Sequence, residues 1–486
     1  MRPFYSTKTI PGIAVLIFLF VLSSSCHQAA RQKSEKQPIK APSSEQSFSK
    51  GKVYNRVKCI SHPEYSYALY MPHGVKAGQP LPVIFFFDAH ARGWLPVNKY
   101  RKIADRLGYL LVASNDSQNG QSGNRRNAII YAFMADVEQR FPIDTNRIYT
   151  AGFSGGARIA AGIGLYNKGI AGVIGCAAGN PPTFQTGRTN YPVADLVGNK
   201  DFNYVEMLAL ESKMTASHQT HQLIEFDGKH EWPPENAMTR AFLFMETDAM
   251  RRKLCPVNHK LIDTLKITLE KERQETNVTR HPFARYKADK KLVVFLNGLA
   301  PVKTYLKEME ILRKRPLYKK QKAAFENLLL REQKTQQQLA TAMGKKDLAW
   351  WKKETSQLYK ASLSASTKEE QMMNRRLLNY LSLMSYLYTD ANLKQGNPKG
   401  ATKFLWIYRK VDPQNPEVYF MMAKQKAMLG APEKDIIAWL KKSVDLGFDN
   451  TQRLNRFIET SGLPHSSVIK SIIDKVDKNR QKAQQF

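Results

Sequence analysis

Between about Val53 and Lys253, short apolar runs alternate with stretches whose apolar positions recur every three or four residues. The runs are Val53–Cys59, Tyr65–Met71, Val83–Phe87, Tyr109–Ala113, Arg147–Gly152, Ala171–Cys176, Val193–Val197 and Gln222–Phe226. Each is short and rich in branched or aromatic residues, the pattern of strands buried on both faces. The helical period predicts helices near Asn98–Leu107, Arg126–Phe141, Ala157–Tyr166, Tyr204–Ala216 and Ala237–Met250. Such alternation predicts an α/β fold with a mostly parallel sheet flanked by helices. The first two runs, joined at Ser61-His62-Pro63-Glu64, predict an antiparallel hairpin that opens the sheet.

After Cys255-Pro256 strand signals stop, and Lys, Glu, Gln, Leu and Ala dominate periodic stretches such as Tyr318–Met343 and Lys368–Leu387. An all-α domain is expected there. Within it, Phe404–Pro413 is echoed by Ile437–Leu446, with Asn415-Pro416-Glu417 opening an aromatic helix between them. That spacing resembles two units of a tetratricopeptide repeat near residues 398–448, with a generic helical bundle as the alternative.

The first residues carry Arg2 and Lys8, a short apolar core from Ile13 to Leu22, then Ser23-Ser24-Ser25-Cys26. The core is short for a membrane span and is bounded like an export signal. Small residues before a cysteine resemble the bacterial lipoprotein signal, which implies lipid on Cys26. The segment from His27 to about Lys50 is rich in Gln, Ser, Lys and Pro and reads as a solvated tether. The expected division is thus a signal at 1–26, a tether at 27–50, an α/β domain at 51–254 and a helical domain at 255–486. With Cys26 acylated, Cys59, Cys176 and Cys255 remain, and these predict no disulfide framework.

Composition narrows the function less than pattern does. A hydrophobic fraction of 42% with 10% aromatics describes a chain with ample core. The net charge of +32 raises nucleic acid as a partner. Export, and the lack of zinc-finger spacing or an RNA-binding aromatic signature, argue for no nucleic acid. Anionic lipid head groups, acidic polysaccharide or simply a solvated lysine-rich surface account for the charge as well.

The most specific chemistry is Gly152-Phe153-Ser154-Gly155-Gly156, which lies between an expected strand and a small-residue helix. Gly-x-Ser-x-Gly in that position forces a sharp turn that lifts the serine hydroxyl clear of the sheet. It lacks the lysine that a phosphate-binding loop needs. An acid and a base are expected later in the chain, in that order. Asp201 follows the strand ending at Val197, and His230 follows the strand ending at Phe226. Strand carboxyl ends are where open α/β sheets gather their catalysts. The alternative readings are a plain turn serine, a helix-capping Asp201 and a surface histidine. Asp195 and Asp227 compete for the acid; Asp195 lies inside a strand, and Asp227 is too near His230 in sequence.

These residues resemble the α/β-hydrolase superfamily, in particular its secreted esterase branch related to polyhydroxybutyrate depolymerases and feruloyl esterases. The resemblance covers about Val53 to Lys253 and includes Gly228-Lys229-His230-Glu231-Trp232-Pro233, similar to a Gly-x-His-x-Trp-Pro loop. It implies Ser154, Asp201 and His230 as catalytic residues, with the Gly155 N–H as one oxyanion donor. Relatives carry His-Gly after the third strand, whereas this chain has Asp88-Ala89-His90. Ala89 or His90 is therefore the expected second donor. Asn115 and Trp232 are the expected substrate contacts.

The expected activity is hydrolysis of a carboxylic ester through an acyl-enzyme, without cofactor or metal. Esters of carbohydrate, lipid or a small polyester are the expected substrates. A serine peptidase of the same fold, or a binding lipoprotein with a degenerate hydrolase domain, is the alternative. The expected partners are the membrane, through lipid on Cys26, and a protein docked on the helical half. The expected location is the bacterial outer membrane or periplasm.

Overall fold

In the computed structural model, which describes residues 47–76, 78–179, 189–464 and 466–485, the apolar runs form eight strands. These are β1 (Val53–Lys58), β2 (Ser66–Tyr70), β3 (Leu81–Asp88), β4 (Leu110–Ser114), β5 (Ile143–Phe153), β6 (Ile170–Cys176), β7 (Val193–Gly198) and β8 (His221–Phe226). They make one sheet in the order β1-β2-β4-β3-β5-β6-β7-β8. β1 and β2 form the expected antiparallel hairpin, and β2 pairs antiparallel with β4. Every pairing from β4 through β8 is parallel. This is the mostly parallel sheet of an α/β-hydrolase fold. The expected leader, Cys26 and all but the end of the expected tether lie outside the described residues.

Five helices follow in the strand intervals: α1 (Trp94–Leu107), α2 (Gly123–Arg140), α3 (Gly155–Tyr166), α4 (Tyr204–Ala216) and α5 (Glu235–Arg251). The two-residue period of β3 explains how the sheet is covered on both sides. Ile84 and Phe86 join a cluster with Tyr100 of α1 and Phe242 of α5. Phe85 and Phe87 meet Phe133 of α2 instead. α2 begins a turn before the expected Arg126, because the Ser122 side chain accepts the Arg125 N–H and caps it. β5 begins at Ile143, earlier than expected, because Ile143 already pairs with Leu81 before a register shift.

The rest of the described chain is helical: α6 (His259–Gln274), α7 (Pro282–Leu296), α8 (Lys303–Lys314), α9 (Pro316–Lys345), α10 (Leu348–Ser364), α11 (Lys368–Lys394), α12 (Thr402–Val411), α13 (Pro416–Met428), α14 (Glu433–Asp445), α15 (Thr451–Ser461) and α16 (Ser467–Gln485). Local signals set several starts. Thr367 accepts the Glu370 N–H ahead of α11, and Asn415 accepts the Glu417 N–H ahead of α13, with Pro416 at the first helical position. In the region of the expected repeat, Tyr419 of α13 stacks on Trp439 of α14, and Ser443 donates to the Pro416 carbonyl. No helix of the described residues is long and apolar enough to cross a membrane.

Strands stop where the helical half begins, but packing does not. One buried cluster runs from Ile84, Phe86 and Phe242 through Ile262 and Leu265 of α6 to Leu292 and Phe295 of α7. A second joins Val197, Tyr204, Met207 and Leu223 to Phe325 and Leu329 of α9. Ser49–Phe486 is accordingly one compact unit.

Candidate active site

Ser154 sits between the end of β5 and the start of α3, with φ 55° and ψ −120°. That conformation is unfavourable for a residue with a Cβ, and its surroundings hold it there. The Ser154 N–H donates to the Cys176 carbonyl at 2.9 Å, and the Ser154 carbonyl accepts from Ala157 N–H at 3.0 Å. The turn is tight enough to demand glycine on both sides. A Cβ on Gly152 would lie 2.1 Å from the Gly156 carbonyl oxygen, and one on Gly156 would lie 2.0 Å from that of Phe87. The serine therefore projects from a strained elbow at the carboxyl edge of the sheet.

Asp201 is fully buried in the loop after β7. Neighbouring backbone fixes that loop: Asn199 N–H donates to the Phe226 carbonyl, and Lys200 N–H to that of Gly228. One Asp201 carboxylate oxygen accepts the Asn203 N–H at 2.8 Å, so the residue also steadies the start of α4. Both oxygens stand 3.0 Å from His230 Nδ1, and His230 Nε2 stands 3.0 Å from Ser154 Oγ. A carboxylate can only accept, so Nδ1 carries the proton and Nε2 presents its lone pair to the serine hydroxyl. The imidazole lies between two aromatic rings, stacked on Phe202 at 4.2 Å and tilted against Phe153 at 4.9 Å. The turns after β5, β7 and β8 thus bring Ser154, Asp201 and His230 into one hydrogen-bonded line.

Neither competing acid joins that line. Asp227 pairs with Lys200 at 2.6 Å. Asp195 is buried within β7, where burial, reinforced by the charges of Glu211 and Glu206, raises its carboxyl to about 8.

The oxyanion loop departs from expectation. His90 N–H donates to Asp88 Oδ1 at 2.8 Å, so that N–H is already engaged by the carboxylate. The expected His90 donor is therefore occupied, and Ala89 remains the positional candidate beside Gly155. Gly155 opens α3, where first-turn N–H groups have no intrahelical acceptor. Asp88 itself is almost wholly buried and also accepts from the Arg92 guanidinium and from Trp232 Nε1. Burial would raise its carboxyl, but the Arg92 charge and these hydrogen bonds hold it below the ordinary carboxylate range.

The two expected substrate contacts have structural duties. Trp232 is 3% exposed and packs on Phe86, Tyr100 and Phe153, so it braces the histidine loop from beneath. Asn115 donates to the Asn55 carbonyl and to Ser66 Oγ, tying β1 and β2 to the end of β4. The member of that loop that does reach the elbow is Asn119. Its side-chain oxygen would stand 1.8 Å from a Cβ placed on Gly155. Among the described residues no cluster of His, Cys, Asp and Glu is arranged to hold a metal ion.

No protein-family profile and no curated protein matches the chain. Solved structures similar to it include S-formylglutathione hydrolase (FrmB) from Staphylococcus aureus, at 14% identity over 37% of this chain and 90% of that one, with a TM-score of 0.30. A ferulic acid esterase matches at 15% identity over 39% of this chain and 94% of that one, with a TM-score of 0.33. Est1E from Butyrivibrio proteoclasticus matches at 14% identity over 40% and 97%, with a TM-score of 0.31. At such scores the strand order and side-chain geometry, rather than the likeness, define the fold.

Proposed function

We propose that this chain is a serine hydrolase that cleaves carboxylic esters through an acyl-enzyme. The observation that carries the reading is His230, hydrogen-bonded on one side to buried Asp201 and on the other to Ser154 on its strained elbow. Serine is a weak nucleophile until a base accepts its proton. His230 Nε2 takes that proton as Ser154 Oγ bonds to the carbonyl carbon, and Asp201 stabilises the imidazolium that forms. The negative charge on the former carbonyl oxygen meets the N–H groups of Gly155 and Ala89. The carbon–oxygen bond to the alcohol then breaks, and the alcohol leaves with the proton from His230. Water, activated by the same imidazole, attacks the acyl-enzyme, and the acid departs as Ser154 regains its proton.

The substrate class proposed is an ester of a carbohydrate, a lipid or a small polyester. We also propose export with lipid on Cys26, supported by the Ser23-Ser24-Ser25-Cys26 sequence and the polar segment after it. Radiolabelled palmitate should enter the full chain and fail to enter Cys26→Ala; equal labelling would refute the anchor. For the chemistry, a fluorophosphonate should label Ser154, and short p-nitrophenyl esters should be turned over. Turnover that survives Ser154→Ala in folded protein would overturn the proposal.

A further inference from the structure

Three carbonyls that surround the catalytic acid are held from the helical half. Arg376 on α11 donates through Nη1 to the Asn199 carbonyl at 2.9 Å. One turn along, Asn379 donates to the Lys200 carbonyl at 2.7 Å. Gln336 on α9 donates to the Phe202 carbonyl at 3.1 Å. The residue these three enclose is Asp201, and the Phe202 ring is the one stacked on His230.

Arg376 is itself built in. Its Nε and Nη2 form a two-pronged pair with Glu332 of α9 at 2.8 and 2.6 Å, and the guanidinium lies 4.3 Å over the Tyr204 ring. Arg376 is 4% exposed and Glu332 fully buried. A planar guanidinium locked on one edge by a carboxylate has its remaining N–H groups fixed in direction. Nothing about packing two helices requires those groups to reach a loop carbonyl. The apolar contact of Phe325 and Leu329 with Val197 and Tyr204 sets α9 against the same loop. Elsewhere in the same unit, α16 packs against α1, the helix that leaves the Asp88–His90 loop.

We propose that the helical half is a working part of the active site, with Arg376 as a positioning residue that, assisted by Asn379 and Gln336, holds the Asn199–Phe202 loop so that Asp201 meets His230. This rests on the serine-hydrolase reading and deepens it. Displacement of the loop by a fraction of an ångström lengthens the Asp201–His230 bond, and a displacement near 1 Å costs on the order of 100-fold in rate. Asp201 also stabilises the imidazolium that forms as Ser154 gives up its proton, so its withdrawal weakens that step.

The test uses the full chain. Arg376→Gln and Asn379→Ala are measured for p-nitrophenyl ester turnover across pH and for fluorophosphonate labelling, with near-ultraviolet circular dichroism to establish folding. Expected are a fall in kcat of about 10- to 100-fold for Arg376→Gln and about 3- to 10-fold for Asn379→Ala, with KM within about twofold. The acid limb of the kcat/KM profile should move to lower pH in both, and Arg376→Lys should recover part of each effect. Because Arg376→Gln leaves Glu332 buried without its partner, the double variant Arg376→Gln/Glu332→Gln is carried beside it, and Asn379→Ala lies outside that pair. Folded variants with parental kcat and an unmoved acid limb overturn the positioning role. Absence of labelling in the parent protein overturns the hydrolase reading instead, so the two failures are distinct.

Discussion

Trp232 donates its indole N–H to Asp88 at 2.8 Å, which joins the loop carrying His230 to the end of β3. The bond links the base of the site to the loop beside the elbow, and Tyr100 secures the same segment by donating to the Pro233 carbonyl. Asp88 is buried, so removing one of its donors leaves a charged acceptor short of a partner. Trp232→Phe should therefore destabilise the protein by about 1–3 kcal/mol. It should also lower kcat/KM, because the histidine loop loses its tether. Chemical denaturation and ester kinetics on the same preparation check both; a variant with unchanged stability would show that the bond is replaceable by water.

Asp201 and Asp227 flank the histidine loop but hold different partners. Asp201 meets His230 Nδ1, whereas Asp227 meets Lys200 on the surface. Asparagine at 201 presents an amide that can donate to Nδ1 and so stabilises the wrong tautomer. A loss of about 10⁴ in kcat is expected for Asp201→Asn. Asp227→Asn should stay within about twofold, since the Asp227 carboxylate is exposed and pairs with Lys200 rather than His230. Reversal of that ranking would reassign the acid.

The strands and the order Ser154, Asp201, His230 were legible because each depends on local pattern. A buried parallel strand is an apolar run whatever covers it, and a loop after such a strand falls at the sheet's carboxyl edge. The engagement of His90 is not legible in the sequence, because its N–H turns back to Asp88, a carboxylate that Arg92 and Trp232 also hold in place. Trp232 looked like a substrate contact from its neighbours in sequence and is a core residue in space. Arg376 carried no signal at all. It reaches Asn199 across 177 residues, and helical periodicity shows which face is apolar without showing which loop that face will meet.

Ser154 is held at φ 55°, where a side chain is disfavoured. Glycine adopts that region freely, at the expense of greater freedom in the unfolded chain. Relief of strain worth about 1–3 kcal/mol should outweigh that loss, so Ser154→Gly should be more stable than the parent by about 1 kcal/mol. The same variant should have no ester turnover. Thermal unfolding of Ser154→Gly beside Ser154→Ala separates backbone strain from loss of the hydroxyl, since alanine keeps the strain. A glycine variant that melts below the alanine variant by that entropic cost would mean that the elbow stores none.

Asp195, buried within β7, should make the stability of the protein depend on pH. Its carboxyl is raised to about 8 by burial and by the nearby charges of Glu211 and Glu206. An unfolded aspartate titrates near pH 3.9. Between those values the folded state binds the proton and the unfolded state does not, so this residue makes stability fall as pH rises. Its contribution is whole below about pH 4 and is lost progressively as pH rises towards about 8. The slope from one such group is at most about 1.4 kcal/mol per pH unit. Asp88 works in the opposite sense: its lowered carboxyl contributes stability above the ordinary aspartate range that is lost in acid. Asp195→Asn should flatten the decline between about pH 5 and 8 while leaving the acid limb in place. Denaturant melts at several pH values test this, and a variant whose stability falls with pH as steeply as the parent's would exclude Asp195 as the source.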